Sequence, residues 1–378
     1  MYEPNFRSTE KLMDSLREIE EVQDLLRTIP IIPIMEERIQ QEALVATVHY
    51  TTKIEGNPLD IKAVEKIGTQ RFSSEHLDRP EQEVSNIYKT MDFIRNVANQ
   101  DDVPIDESVV RQIHAYIVRD IPSQGHPGEY KTKQNAIADQ TSKKTIFMPP
   151  NPSNTIQLMR ELSAWLSRSP LAFHPVIAAG IAHLELVAIH PFDDGNGRTA
   201  RALSDLILYR YGYQFRYLFS WVRQVGVNMN SYHRILRDVL GDEYGAKSDT
   251  TIWLEYFAEA ISMSLAEKRP QLIEVRQTFV EGYNLGKRLG LKEDQYEALA
   301  FAVLTGDITT GEYMRAGRLS RSTAIKRLSE LAEKGLLRVV GRGRSVRYVP
   351  APEGLMSIEQ HKKGLQLSLE MVKASVKK

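Results

Sequence analysis

Apolar residues recur every three to four positions along most of the chain, the spacing of one buried helix face. Residues 9–29 and 36–55 read as amphipathic helices, separated by IPIIP (29–33), whose two prolines force a turn. Further helices are expected at 58–68, 80–99, 106–119, 153–167, 175–189, 197–211, 229–240 and 250–267. A break is expected near 268–292, where KRP and glycine-flanked turns interrupt the period. The segment Gly128 to Pro152, GEYKTKQNAIADQTSKKTIFMPPNP, has no helical period. Its Ser/Thr/Lys-rich middle and closing Pro-Pro suit a β-hairpin or ordered flap, with a plain surface loop as the equal alternative.

Residues 293–350 read as helix, turn, helix, then two short strands around GRGR. Ala324, Leu328 and Leu331 give the second helix an apolar face, and Ser320 or Ser322 can cap it. The pattern resembles a winged helix-turn-helix. Ten basic residues lie between Arg315 and Arg347 against two acids, Glu330 and Glu333, so a local positive surface is expected. Contact with DNA through residues 310–350 and docking of a protein are equal readings of it. The fold class is therefore mainly α with a small β-hairpin flap and a C-terminal winged-helix domain. The expected organisation is an N-terminal helical region at 1–100, a core at 101–275, the winged helix at 290–350 and a Lys-rich tail at 351–378.

Composition narrows the functions. Net charge is zero over 378 residues, so no global field draws the chain to nucleic acid or membrane. There are no cysteines, which removes disulfides, thiolate zinc sites and cysteine nucleophiles, and fits a cytoplasmic setting. The first twenty residues lack an apolar signal core, and the run from Pro175 to Ile189 is too short to span a bilayer. No membrane association is expected.

Two stretches break local rules. In HYTTKIEGNPLD, His49 to Asp60, Gly56-Asn57-Pro58 is a helix stop. Glu55 thus falls in the last turn, where the helix dipole disfavours a carboxylate by roughly 0.3–1 kcal/mol. In HPFDDGNGRTAR, His190 to Arg201, a helix ends at Pro191 and another begins near Gly197. Gly195-Asn196-Gly197 at that helix start forms an anion nest of backbone N–H groups. Arg198 and Arg201 share one side of the first turn, at the end where cations are disfavoured unless an anion joins them. A polyphosphate would satisfy nest and arginines together. Asp193 or Asp194 could offer an oxygen to Mg²⁺, and His190 has a side chain suited to a general base near neutral pH. No GxxxxGK[ST] motif is present, and the histidines at 174, 183 and 190 lack HExxH spacing. His183 is most simply a core or orienting residue.

The segment resembles the signature of the Fic (filamentation induced by cAMP) family, HPFx[D/E]GNGRxxR. His190, Pro191, Phe192, Asp194, Gly195, Asn196, Gly197, Arg198 and Arg201 fit it, and the likeness extends over roughly residues 30–270. Lys131 stands where relatives often carry Arg. The resemblance implies transfer of AMP from ATP to a Ser, Thr or Tyr hydroxyl of a target protein, with ATP as substrate and Mg²⁺ as cofactor. It implies His190 as base, Asp194 as the metal ligand, Gly195, Asn196 and Gly197 around phosphate oxygens, Arg198 and Arg201 on the outer phosphates, and Phe192 as core anchor. It makes 128–152 a target-aligning hairpin. TTKIEG, Thr51 to Gly56, is similar to the family's inhibitory motif [S/T]xxxE[G/N]. By that likeness Glu55 pairs with Arg201, in cis or in trans, and takes the space of the γ-phosphate. The implied partners are an unidentified hydroxyl-bearing protein, the chain itself by self-modification, and a second copy in a homodimer. Open alternatives are transfer of UMP or phosphocholine, removal of AMP with Glu55 orienting water, and a DNA-binding regulator whose core senses nucleotide without transferring it.

Overall fold

The computed structural model describes residues 3–28, 33–70, 77–121, 126–138, 145–168, 172–245 and 249–352. The tail expected at 351–378 lies, beyond residue 352, outside the described residues. Two compact units divide the chain. One gathers Met1–Leu26 with Glu42–Glu267, the other Arg27–Gln41 with Lys268–Lys378.

The first helices are α1 (Glu10–Thr28), α2 (Pro33–Lys53), α3 (Ile61–Gln70), α4 (Arg79–Ala98) and α5 (Glu107–Ile117). A short hairpin follows, β1 (Ile137–Ala138) and β2 (Thr145–Phe147). Then come α6 (Pro152–Leu166), α7 (Pro175–Ile189), α8 (Asn196–Arg210), α9 (Trp221–Val227), α10 (Met229–Leu240) and α11 (Thr251–Arg288). Local chemistry sets several starts. Asp78 and Glu81 form a reciprocal capping box on α4, Asp106 caps α5, and His174 caps α7 by accepting from the Val176 N–H at 3.2 Å. Each satisfies a donor that a helix start leaves without a partner.

The centre of the first unit is α7 against α8, with α4 and α5 packed on α8. Every residue of α7 from Val176 to Ile189 is buried, as an all-round apolar helix must be. His183 sits inside it at 0% exposure, in the core position expected for it. The hairpin is antiparallel, with Ile137 opposite Phe147 and Ala138 opposite Thr145; residues 139–144 are outside the described set. Its base is tied down where the Met148 N–H donates to the Asp242 carbonyl at 2.8 Å and the Tyr244 N–H to the Met148 carbonyl at 3.1 Å.

Three sequence expectations are corrected. The break placed at KRP is absent, because α11 runs unbroken through Pro270. The lost backbone bond and ring clash cost about 3 kcal/mol, and burial of Leu265, Leu272 and Val275 on either side carries the helix across. Helix α2 ends at Lys53, so Glu55 lies in the turn just beyond it, where Gly56 has φ 90°. The short α9, seven residues that bury Trp221, Val222 and Val225, has no counterpart in the expected helices.

In the second unit α12 (Glu293–Thr305), α13 (Thr310–Gly317) and α14 (Arg321–Glu333) precede β3 (Leu337–Val340) and β4 (Arg347–Pro350). Ser320 caps α14 by accepting from the Thr323 N–H at 3.2 Å, and Ala324, Leu328 and Leu331 are all 0% exposed. The strands pair antiparallel with Val339 opposite Tyr348, and Ile308 bridges Tyr348 on its other side. Three helices and this small sheet make a winged helix.

Candidate active site

The site forms where α7 ends and α8 begins. His190 is the C-cap of α7, in the left-handed region at φ 49° and ψ 56°. A side chain there costs roughly 1–2 kcal/mol, and four backbone carbonyls in succession hold it. The Lys131 ammonium donates to the Ile189 carbonyl at 3.3 Å, and the Lys131 backbone N–H to the Pro191 carbonyl at 2.8 Å. The Asn135 amide donates to the His190 carbonyl at 3.3 Å and the Phe192 carbonyl at 2.9 Å.

The His190 ring is oriented by Nδ1, which lies 3.2 Å from the Val187 carbonyl. That carbonyl can only accept, so Nδ1 carries the proton and Nε2 keeps its lone pair. Burial pushes the imidazole down to about 4, against the Val187 contact, and Lys131 adds to the fall. His190 is therefore neutral at physiological pH.

The loop closes on its own side chains. Phe192 is fully buried and stacks on His114, ring centres 3.7 Å apart and planes 2° from parallel. Asn196 accepts from the Phe192 N–H at 2.9 Å and donates to its carbonyl at 2.8 Å. The Asn196 side chain is thus spent on the loop, and only its backbone N–H is oriented to serve a phosphate nest, as at any helix start. Gly195 opens α8 at φ 77°, a conformation glycine adopts without penalty. Its N–H is taken by the Asp194 carboxylate at 2.5 Å, which narrows the expected three-residue nest to its last members.

Asp194 is 43% exposed at its side chain and contacts Arg198 Nη2 at 3.4 Å, while Asp193 is exposed. Arg198 is nearly buried, and its Nε has no hydrogen-bond partner. An orphaned guanidinium nitrogen beside a half-open carboxylate fits a site that takes a phosphate together with a cation. Among the described residues no cluster of three or more His, Asp or Glu could hold a metal by itself. A single carboxylate suits Mg²⁺ that arrives with phosphate oxygens.

Arg201, 2% exposed, reaches the end of α2. Its Nε donates to Thr51 Oγ1 at 2.6 Å, and Nη2 to the Thr51 carbonyl at 3.0 Å and to Glu55 Oε1 at 2.6 Å. The Glu55 oxygen in turn lies over the first turn of α8, 2.6 Å from where a Cβ on Gly197 would stand. Each charge thus sits at the helix terminus that favours it, guanidinium at a C-terminus and carboxylate at an N-terminus. Burial alone would raise the Glu55 carboxyl, but Arg201 and then Arg198 outweigh it and hold it below its ordinary value. The contact is made within one chain.

Two residues unmarked by the sequence motifs complete the frame. His114 accepts from the Gly128 N–H at Nδ1 (3.0 Å), so its Nε2–H donates to the Asp194 carbonyl at 3.0 Å. Tyr232 on α10 bonds His183 Nε2 at 2.9 Å, and its hydroxyl lies close enough to Arg201 to act on the guanidinium. Neither could be found by spacing, since each lies on an element remote in sequence from the loop.

Residues 104–208 match the model of the Fic/DOC family, and residues 292–351 that of the C-terminal domain of transcriptional regulator DIP2311-like proteins. The protein adenylyltransferase Fic of Nematostella vectensis is 29% identical over 53% of this chain and 45% of its own length. That of Aedes aegypti is 29% identical over 52% and 38%. The matched part thus spans less than half of these relatives. In fold, a Fic family protein from Desulfovibrio desulfuricans has TM-score 0.62 at 22% identity, covering 93% of this chain and 99% of that one. A part of Fic-1 from C. elegans has TM-score 0.54 at 21%, covering 71% and 73%. The chain therefore carries a Fic/DOC domain at residues 104–208, followed at 292–351 by a winged helix similar to the C-terminal domain of DIP2311-like proteins.

Proposed function

We propose that the chain is a self-restrained protein adenylyltransferase, moving AMP from ATP to a Ser, Thr or Tyr hydroxyl of a protein, itself included. The observation that carries this reading is a neutral His190, its Nε2 lone pair available, beside a helix start with two buried arginines. In the reaction the target hydroxyl gives its proton to His190 Nε2, its oxygen bonds the α-phosphorus, and the bond to the β-phosphate oxygen breaks to release pyrophosphate. The N–H groups of Asn196, Gly197 and Arg198 and the Arg198 guanidinium receive phosphate oxygens, and positioning with fixed dipoles supplies most of the rate. Asp194 would hold Mg²⁺, which when bound neutralises charge between two phosphates. The hairpin at Ile137–Phe147 aligns an extended target segment by strand pairing, which reads backbone more than sequence.

Restraint comes from Glu55, which occupies Arg201 and stands against the first turn of α8. An incoming polyphosphate has to compete with that carboxylate for the same guanidinium. A cytoplasmic setting agrees with the absence of cysteine; no described helix is long and apolar enough to cross a membrane. For the C-terminal unit, exposed Arg321 and Lys326 on α14 and exposed Arg338 and Arg342 on the wing favour contact with DNA phosphates.

The test is self-labelling with radioactive ATP and Mg²⁺ by the Glu55→Gly chain, with and without His190→Ala. Label that appears only with His190 present supports the transferase. Label that persists in His190→Ala removes His190 as base, and no label in any form leaves nucleotide sensing as the better reading.

A further inference from the structure

The carbonyls of Ile189, His190, Pro191 and Phe192 are consecutive, and every one accepts a hydrogen bond from Lys131 or Asn135. The two side chains also bond each other, Lys131 Nζ to Asn135 Oδ1 at 2.9 Å. Lys131 is 3% exposed, so a charged side chain is kept inside for these contacts. A helix C-terminus of ordinary sequence leaves its last carbonyls to water or to a glycine cap. Here a five-residue strap from outside the helix takes the last of them, that of Ile189, and the three carbonyls that follow the helix, and it lies at the root of the hairpin whose strands begin at Ile137.

We propose that Lys131 and Asn135 are positioning residues for His190, holding its left-handed backbone so that Nδ1 faces Val187 and Nε2 faces the reacting hydroxyl. The Lys131 ammonium also disfavours a second positive charge on the imidazole. This rests on His190 acting as the base. Three charged groups bear on that ring. Lys131 comes from the root of the hairpin, Glu55 from the turn after α2, and Asp194 from the loop before α8; the last two oppose Lys131. Lys131 itself is pushed down to about 8 by burial, with Asp193 acting against the fall. It therefore remains mostly charged at neutral pH.

The experiment reads the ring itself as well as turnover. Imidazole-labelled full-length chain is titrated by NMR, with His190→Ala used to assign the resonance, in wild type, Lys131→Met, Lys131→Arg and Asn135→Ala. Wild type is expected to show the Nδ1–H tautomer and to stay neutral well below the usual histidine range. Lys131→Met should raise the midpoint by up to about one pH unit, the reach of one nearby charge, and Lys131→Arg should restore it. Asn135→Ala should mix the two tautomers. In the Glu55→Gly background the Met and Ala variants should lower kcat for self-labelling at least tenfold with KM for ATP unchanged. A His190 midpoint and tautomer unmoved in both variants would overturn the proposal, whether or not the chain labels itself. Absence of any His190-dependent labelling would instead count against the transferase reading, and the NMR result would still decide the role of the strap.

Discussion

Arg201 Nη2 and Glu55 Oε1 lie 2.6 Å apart, joined across 146 residues of sequence. The same guanidinium caps the Thr51 carbonyl at the end of α2. One side chain from the start of one helix thereby closes the end of another, and the carboxylate that looked misplaced at the end of α2 is set against the N-terminus of α8.

Removing that carboxylate frees Arg201. A charge-assisted hydrogen bond contributes roughly 1.5–3 kcal/mol, and 1.4 kcal/mol is tenfold. Glu55→Gly is therefore expected to raise the self-labelling rate about ten- to a hundredfold. Because its carboxyl is held below the ordinary value, the restraint should not vary between about pH 6 and 8; protonation releases it only in acid. Equal rates for the two chains at neutral pH would remove Glu55 as the restraint.

Gly197 tests the packing of the same pair. Its missing Cβ would stand 2.6 Å from Glu55 Oε1 and 3.3 Å from Arg201 Nη1. Gly197→Ala should destabilise the wild-type chain by about 1–3 kcal/mol, the usual range for overpacking. In the Glu55→Gly chain it should stabilise by up to about 1 kcal/mol, as alanine does inside a helix. Chemical denaturation of the four chains gives the coupling, and the same effect in both backgrounds would show that the pair does not meet as described.

His114 supports the loop by a stack and two hydrogen bonds. His114→Leu keeps an apolar body against Phe192 but strands the Gly128 N–H and the Asp194 carbonyl. Each buried group left unpaired costs about 1–3 kcal/mol. The variant should melt earlier and bind ATP more weakly, since Asp194 is carried by that carbonyl. Calorimetry and equilibrium binding check both effects; unchanged affinity would limit His114 to packing.

Asp205, one turn beyond Arg201, is 4% exposed and accepts from Trp221 Nε1–H at 2.7 Å. Burial pushes its carboxyl up to about 7, against the Trp221 bond. The folded state therefore holds a proton that the unfolded chain has already lost, so this group's contribution is greatest in acid and is lost as pH rises through about 7. Asp205→Asn keeps an acceptor for Trp221 and should remove that loss, raising stability above pH 7 by up to a few kcal/mol. Denaturation midpoints measured from acid to alkaline pH would show the two chains diverging; parallel curves would place the charge in water.

The winged helix carries its own prediction. Random duplex DNA should bind the full chain with affinity that falls steeply with salt, as phosphate contacts require. Arg321→Ala with Lys326→Ala should flatten that slope. Binding indifferent to salt would favour a protein partner for this face.

Much of this was legible before any coordinates. The helix from 229 to 240 falls where periodicity puts it, because a buried stripe repeats every 3.6 residues whatever it packs against, and that from 175 to 189 falls on an unbroken apolar run bounded by two prolines. The twelve residues from His190 to Arg201 announce a helix end, a glycine turn and a helix start, since proline and glycine act on the backbone locally. Local signals failed where packing overruled them. Pro270 should have ended a helix and did not, because buried neighbours on both sides outweigh one lost hydrogen bond. Only the tertiary structure could decide that Arg201 meets Glu55 within one chain, that Tyr232 stands behind that arginine, that His114 carries Asp194, and that Lys131 and Asn135 take the four carbonyls around His190. Those contacts join residues from tens of positions to 146 positions apart, and chain spacing holds no record of a distance that only the folded core sets.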